Sequence, residues 1–233
     1  MYLRLFLWIL LVIPSASAEG GDDRQVLFRE DFSTLESWRP FFFPQIKSHT
    51  TYTIERDGDS HVLKTESNAS ASALVYKDPF DVREFPRVRW RWKVANVYAK
   101  ADPRNKAGDD YPLRVYIMFE YDPAKAGVLE LISYSLARAR FGQYPPHSSL
   151  SYVWSSTDGP ETFISSPYTE KAMMVLLEKG RSKTGLWVDE EVDILADYRR
   201  AFKAEPPARA RIAVMNDSDN TGESSVSYLE YLE

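Results

Sequence analysis

The chain has no cysteine among its 233 residues. That absence excludes a disulfide framework, thiol catalysis, a Cys-based zinc site and a lipid-modified N-terminal Cys, so folding has to rest on the apolar core. Histidine is almost missing as well. His49, His61 and His147 are the only three, and none forms a metal-ligand pair at helical spacing. There is no GxSxG elbow, Walker loop, dinucleotide fingerprint, repeat period or low-complexity tract. Basic excess is lacking too: 29 Lys and Arg stand against 34 Asp and Glu, for a net charge of −5, and no nucleic-acid partner is expected.

Long apolar runs are also absent. The longest, Leu5 to Ile13, falls short of the roughly 20 residues that span a bilayer. With Arg4 before it and Ala16-Ser17-Ala18 after it, it has the layout of a cleavable signal peptide over residues 1–18. The acidic "EGGDD" that follows offers no second anchor. The expectation is a periplasmic or secreted protein, free of the membrane once the signal is removed, with one β-sandwich domain over residues 19–233.

What is present in quantity is aromatic: six Trp, fourteen Tyr and twelve Phe. Such side chains fill a sheet core, and they also supply flat apolar faces on which sugar rings stack. Two-residue alternation between turn signals predicts strands over residues 52–55, 61–65, 72–76, 87–95, 113–121, 150–154, 173–178, 186–193, 209–215 and 225–232. Helical spacing predicts a helix over residues 126–141, ending before Gly142, and a shorter one over 194–202 that Pro206 and Pro207 close off. The pattern is that of a mainly β protein: a two-sheet, jelly-roll-like antiparallel sandwich with one inserted helix and a short crossing helix.

Several segments are candidates for chemistry. "RVRWRWKVA" sends Val88, Trp90, Trp92 and Val94 to one face and Arg87, Arg89, Arg91 and Lys93 to the other. The cations are either a solvated face, neutralised by Asp189, Glu191 and Asp193 of "LWVDEEVD", or a groove for an acidic or hydroxyl-rich polymer. "AGDDYPLRV" sets Asp109 and Asp110 before a strand that carries Arg114 and Tyr116, and Trp154 ends another strand as a candidate stacking platform. "NDSDNTG" offers Asp217, Asp219 and Asn220 as hard oxygens for calcium, as partners for sugar hydroxyls, or as plain turn residues. The EF-hand pattern fails, since its twelfth position falls on Tyr228. Glycoside hydrolysis would need two carboxylates across a cleft, such as Glu120 with Glu191 or Asp189. Uronate elimination would use Arg89, Arg91, Arg114 and Tyr116.

Taken in order, "VRWRWKV", "AGDDYPLRVYIMFEYD", "LSYVW", "SPYT", "ILADYRRAF" and "IAVMNDSDNTGE" resemble a family of exported, mainly proteobacterial proteins built on a domain of unknown function. "LFREDFSTLESW" and "VSYLEYLE" are similar to the first and last strands of lectin- and glucanase-like sandwiches, in which the chain ends pair within a sheet. The resemblance implies fold and compartment, and no catalytic residues. The function expected is non-catalytic binding of a glycan or another envelope component, through Asp109, Asp110, Arg114, Tyr116, Trp154, Asp217, Asp219 and Asn220. No cofactor is required, with calcium at the Asp217 loop as the one candidate ion. A polysaccharide-active enzyme, lyase before hydrolase, and an envelope protein-interaction module are the alternatives.

Overall fold

Alternating apolar and polar residues build strands that bury one face each, and here two sheets bury those faces against one another. The structure is a computed structural model that describes residues 25–141 and 144–233. The expected signal peptide lies outside the described residues. The strands are β1 (Trp38–Phe41), β2 (Thr51–Asp57), β3 (Ser60–Asn68), β4 (Ala71–Tyr76), β5 (Phe80–Asp81), β6 (Arg87–Val94), β7 (Arg114–Phe119), β8 (Ser148–Ser155), β9 (Phe163–Ser165), β10 (Ala172–Lys179), β11 (Val188–Asp193), β12 (Arg209–Asp217) and β13 (Ser224–Leu232). The helices are α1 (Val128–Phe141) and α2 (Ile194–Phe202).

One sheet has the order β1-β4-β12-β7-β8-β10-β9, with β5 beside β12, and the other the order β11-β6-β13-β3-β2. All ten predicted strands and both helices are present, and the mainly β sandwich stands. Three short strands (β1, β5 and β9) escape the pattern because two to four residues are too few to show a period. One pairing departs from the antiparallel expectation: β8 and β10 run parallel, since β9 turns the chain back at the sheet edge and lets β10 slot between them. In the segment before β1, Glu30 forms an isolated antiparallel bridge with Leu232 of β13 rather than a first strand.

The core between the sheets is aromatic. Trp90 and Trp92 of β6 are fully enclosed and meet Tyr152 and Trp154 of β8 at ring-centroid distances of 5.6 and 5.8 Å. On the opposite face of β6 the four cations are neutralised: Arg87 pairs with Glu191 (2.7 Å), Arg89 with Glu233, Arg91 with Glu230 (2.9 Å) and Lys93 with Asp57 (2.8 Å). This face is solvated and charge-balanced, so the polymer groove weighed for it is set aside. α2 is capped by Asp193, whose carboxylate accepts from the Ala196 N–H, and it covers one end of the core through Ile194 and Tyr198.

Candidate functional site

β7 and β12 lie side by side in the centre of the larger sheet, with Arg114 opposite Met215 and Tyr116 opposite Ala213. Their inward residues, among them Val115, Ile117, Ile212 and Val214, fill the core. Their outward residues therefore form the floor of whatever lies on the far side of the sheet. Two sequence-predicted motifs close one end of that floor: "AGDDY" precedes β7 and "NDSDNTG" ends β12.

The alternation of β12 continues into its polar end and gives each residue a separate task. Asn216 points inward, where its Nδ2 donates to Thr65 of the other sheet (3.1 Å to Oγ1) and its Oδ1 accepts from Tyr98 and Ser225. Asp217 points outward and takes Arg114 in a two-point contact, with Nε 2.8 Å from Oδ1 and Nη2 on Oδ2. Arg114 also donates to the Asp109 carbonyl at 2.7 Å and lies 4.3 Å from the Tyr111 ring centre. Asp110 accepts the backbone N–H groups of Asn220 (3.3 Å) and Thr221 (2.6 Å), which fastens the second motif to the first. Each motif uses its glycine, one for backbone conformation and one for space. Gly222 turns the loop at a φ of +70°, and a Cβ on Gly108 would lie 2.4 Å from the Asp102 backbone nitrogen.

The oxygens of Asp110, Asp217 and Asp219 lie within 4.8 Å of one another. Burial pushes the Asp109 and Asp219 carboxyls up, with Asp110 nearby adding to both shifts. Asp217 is pushed up chiefly by burial and drawn back by Arg114. The residues fit calcium poorly. Asp217 already takes the guanidinium at two points and Asp110 two backbone donors, so the cation this loop holds is Arg114.

Six of the eight predicted contacts are thus brought together, but mainly as an internal lock. Asp109, Asp110, Arg114 and Asp217 are buried, Asp219 is half-buried and Asn220 is exposed at the rim. Trp154 is enclosed in the core with its Nε1 donating to the Gly180 carbonyl at 3.2 Å, so it offers no face for stacking. The residues weighed for catalysis do not assemble. Arg89, Arg91, Asp189 and Glu191 lie on the outer face of the smaller sheet, whereas Arg114, Tyr116 and Glu120 belong to the outer side of the larger one.

Tyr116, the remaining candidate, opens onto a feature the sequence reading missed. A trough of about 480 Å³ runs along the outer face of the larger sheet. Its floor is made of the outward side chains of four strands, small at Ala73, Val75, Ala213 and Ser149 and larger at Tyr116, Met118 and Met215. Its walls are aromatic: Phe41 and Phe43 on one side, packed edge to face at 5.1 Å, and Tyr121 and Tyr144 on the other. Tyr134 of α1 stacks on Tyr121 at 3.7 Å, so the inserted helix braces one wall. Arg39, Arg211 and Glu120 supply charge. Tyr116 lies between the trough and the lock, 5.9 Å from the Arg114 guanidinium, and burial pushes its phenol up to about 12, so it is neutral at physiological pH. The available signal was "RPFFFPQ", three consecutive Phe between prolines with no strand period to place them in a core.

Residues 36–233 match the model of a family described as a protein of unknown function (DUF3047). No curated protein matches the chain in sequence. Among solved structures the chain is similar to a family 11 carbohydrate-binding module from Clostridium thermocellum in complex with a β-1,3-1,4-mixed-linked tetrasaccharide, at 10% identity and a TM-score of 0.42, covering 87% of this chain and 91% of that one. It is also similar to Trichoderma harzianum endoglucanase 3 from family GH12, at 6% identity and a TM-score of 0.40, covering 84% and 96%. A third is winged bean acidic lectin complexed with methyl-α-D-galactose, at 12% identity and a TM-score of 0.33, covering 84% and 97%.

Proposed function

We propose that this chain, which belongs to the DUF3047 family, is an exported, non-catalytic binding protein that holds a glycan chain in the trough of its larger sheet. The observation that carries this reading is the trough's construction. A largely apolar floor between aromatic walls accommodates the apolar faces of sugar rings, while the polar groups at its edges are available to hydroxyls. The Arg114–Asp217 lock acts through Tyr116 as a positioning device rather than as a contact. Among the described residues lining the trough, Glu120 is the single carboxylate, and Arg209 and Arg211 hold it at 3.2 and 3.0 Å. This favours binding over glycoside hydrolysis, which needs a second acid across the cleft.

Native affinity electrophoresis through gels containing neutral and acidic polysaccharides tests the reading. At least one polymer should retard the wild-type protein, and Phe41→Ala should abolish that retardation while remaining folded, with a melting temperature lowered by loss of a ring that packs on Ala73 and Met215. A wild-type protein that migrates freely through every polymer refutes it. One observation favours an envelope protein-interaction module as the second reading: α1 exposes Val128, Leu129, Ile132 and Leu136, each more than half accessible. Co-purification of one partner, lost on Leu129→Ser with Leu136→Ser, together with free migration in every gel, would favour that module.

A further inference from the structure

We infer that the glycan held in the trough is anionic, a polymer bearing carboxylates, and that Arg39 is the side chain that recognises its charge. The inference rests on the glycan reading and specifies its ligand class. Arg39 stands on the edge strand β1, exposed to solvent, and turns to the trough on the same side as Phe41. Its cross-strand neighbour is Val75 on the trough floor. Among the described residues no carboxylate pairs with its guanidinium. On the outer face of the smaller sheet, in contrast, Arg87, Arg89, Arg91 and Lys93 each meet an acid.

A second cation strengthens the case independently. Arg211 lines the same trough, and its partner Glu120 also serves Arg209, so one carboxylate answers two guanidinium groups. The trough is therefore locally positive on a chain whose net charge is −5. Arg39 and Arg211 lie two strands apart in the order β1-β4-β12, roughly 10 Å in the hydrogen-bonding direction. Such a separation suits negative charges recurring along a polymer rather than a single small anion. A guanidinium is also suited to carboxylate by its planar fork.

The test is affinity electrophoresis of the wild type, Arg39→Gln, Arg39→Lys and Phe41→Ala in alginate, polygalacturonate, polygalacturonate with its carboxylates methyl-esterified, and a neutral mixed-linkage β-glucan. At least one of the two acidic polymers should retard the wild type. Where polygalacturonate does so, esterification should remove the effect. Arg39→Gln should weaken retardation by up to roughly fivefold, the range of a solvent-exposed ion pair, with Arg39→Lys recovering part of it. Retardation by the neutral glucan or the esterified polymer at the strength of the acidic ones, or an Arg39→Gln variant that behaves as wild type, overturns the inference and leaves glycan binding in place. Free migration of the wild type in all four gels overturns both. Phe41→Ala separates the two, since it should lose every polymer whatever its charge.

Discussion

Arg114 and Asp217, 103 residues apart in the chain, face each other in a two-point ion pair in which both side chains are almost fully enclosed. A buried pair of this kind adds little net stability, because desolvation offsets most of its attraction, but removing one partner strands the other as an uncompensated charge. Arg114→Met or Asp217→Leu alone should therefore cost about 3–5 kcal/mol, read as a lowered urea midpoint. The double variant should recover most of that loss. A single variant that unfolds at the wild-type midpoint would show that the pair is not enclosed as described, and Arg114 would return to the set of surface contacts.

Asp110 should behave differently, since its carboxylate serves backbone donors rather than a charge. Asp110→Ala leaves the Asn220 and Thr221 N–H groups without acceptors, at a cost of about 1–3 kcal/mol. The effect should be local. Hydrogen exchange at Thr221 should rise sharply while exchange in the centre of β12 changes little, and a uniform rise across β12 would argue against a separable loop anchor.

The two motifs show what the sequence makes legible and where legibility stops. Alternation in "RVRWRWKVA" and its neighbours suffices for the sandwich, because burying one face of a strand leaves a period of two. "NDSDNTG" could be seen as a polar loop beside a strand, yet its composition is the same whether it holds an ion, a sugar or its own backbone. What decides is the pairing of Asp217 with Arg114, a long-range register that no local pattern encodes. Trp154 falls to the core rather than to a stacking surface for a related reason. Its position at a strand end places it on the rim of a lone strand, whereas the opposing sheet brings Trp92 over it. The trough was illegible because its walls come from β1, from the segments flanking α1 and from a Pro-bounded Phe run, none of which shows a period.

A pH dependence follows from Glu190, which lies on β11 opposite Trp90, between the strand's apolar residues Val188 and Val192. Burial first, and Glu178 second, push its carboxyl from the ordinary 4.5 up to about 7. The folded state thus holds this proton more tightly than the unfolded chain does. Its contribution to stability is present below pH 4.5 and is lost as pH rises through about 7. Glu190→Gln should match the wild type in urea midpoint near pH 4.5 and exceed it increasingly up to about pH 7, beyond which the difference should level off. A difference independent of pH would mean that Glu190 titrates as an ordinary surface acid.

The trough can be tested without touching any candidate contact, by filling it. Ser149 lies on its floor, half-buried and opposite Met118 of β7, with its side chain directed away from the core. Ser149→Phe would occupy space the ligand needs, and the ring has room because the position is half-buried at the edge of an open volume of about 480 Å³ rather than in the packed interior. Retardation by every polymer should be lost while the melting temperature stays within a few degrees of wild type. Leu150→Ala, one residue later and facing the core, should do the reverse: it should lower stability by about 2–5 kcal/mol and leave polymer binding by the folded fraction intact. If both variants instead lose binding in proportion to stability, the outer face of the sheet is not the binding surface, and the exposed stripe of α1 becomes the surface to mutate next.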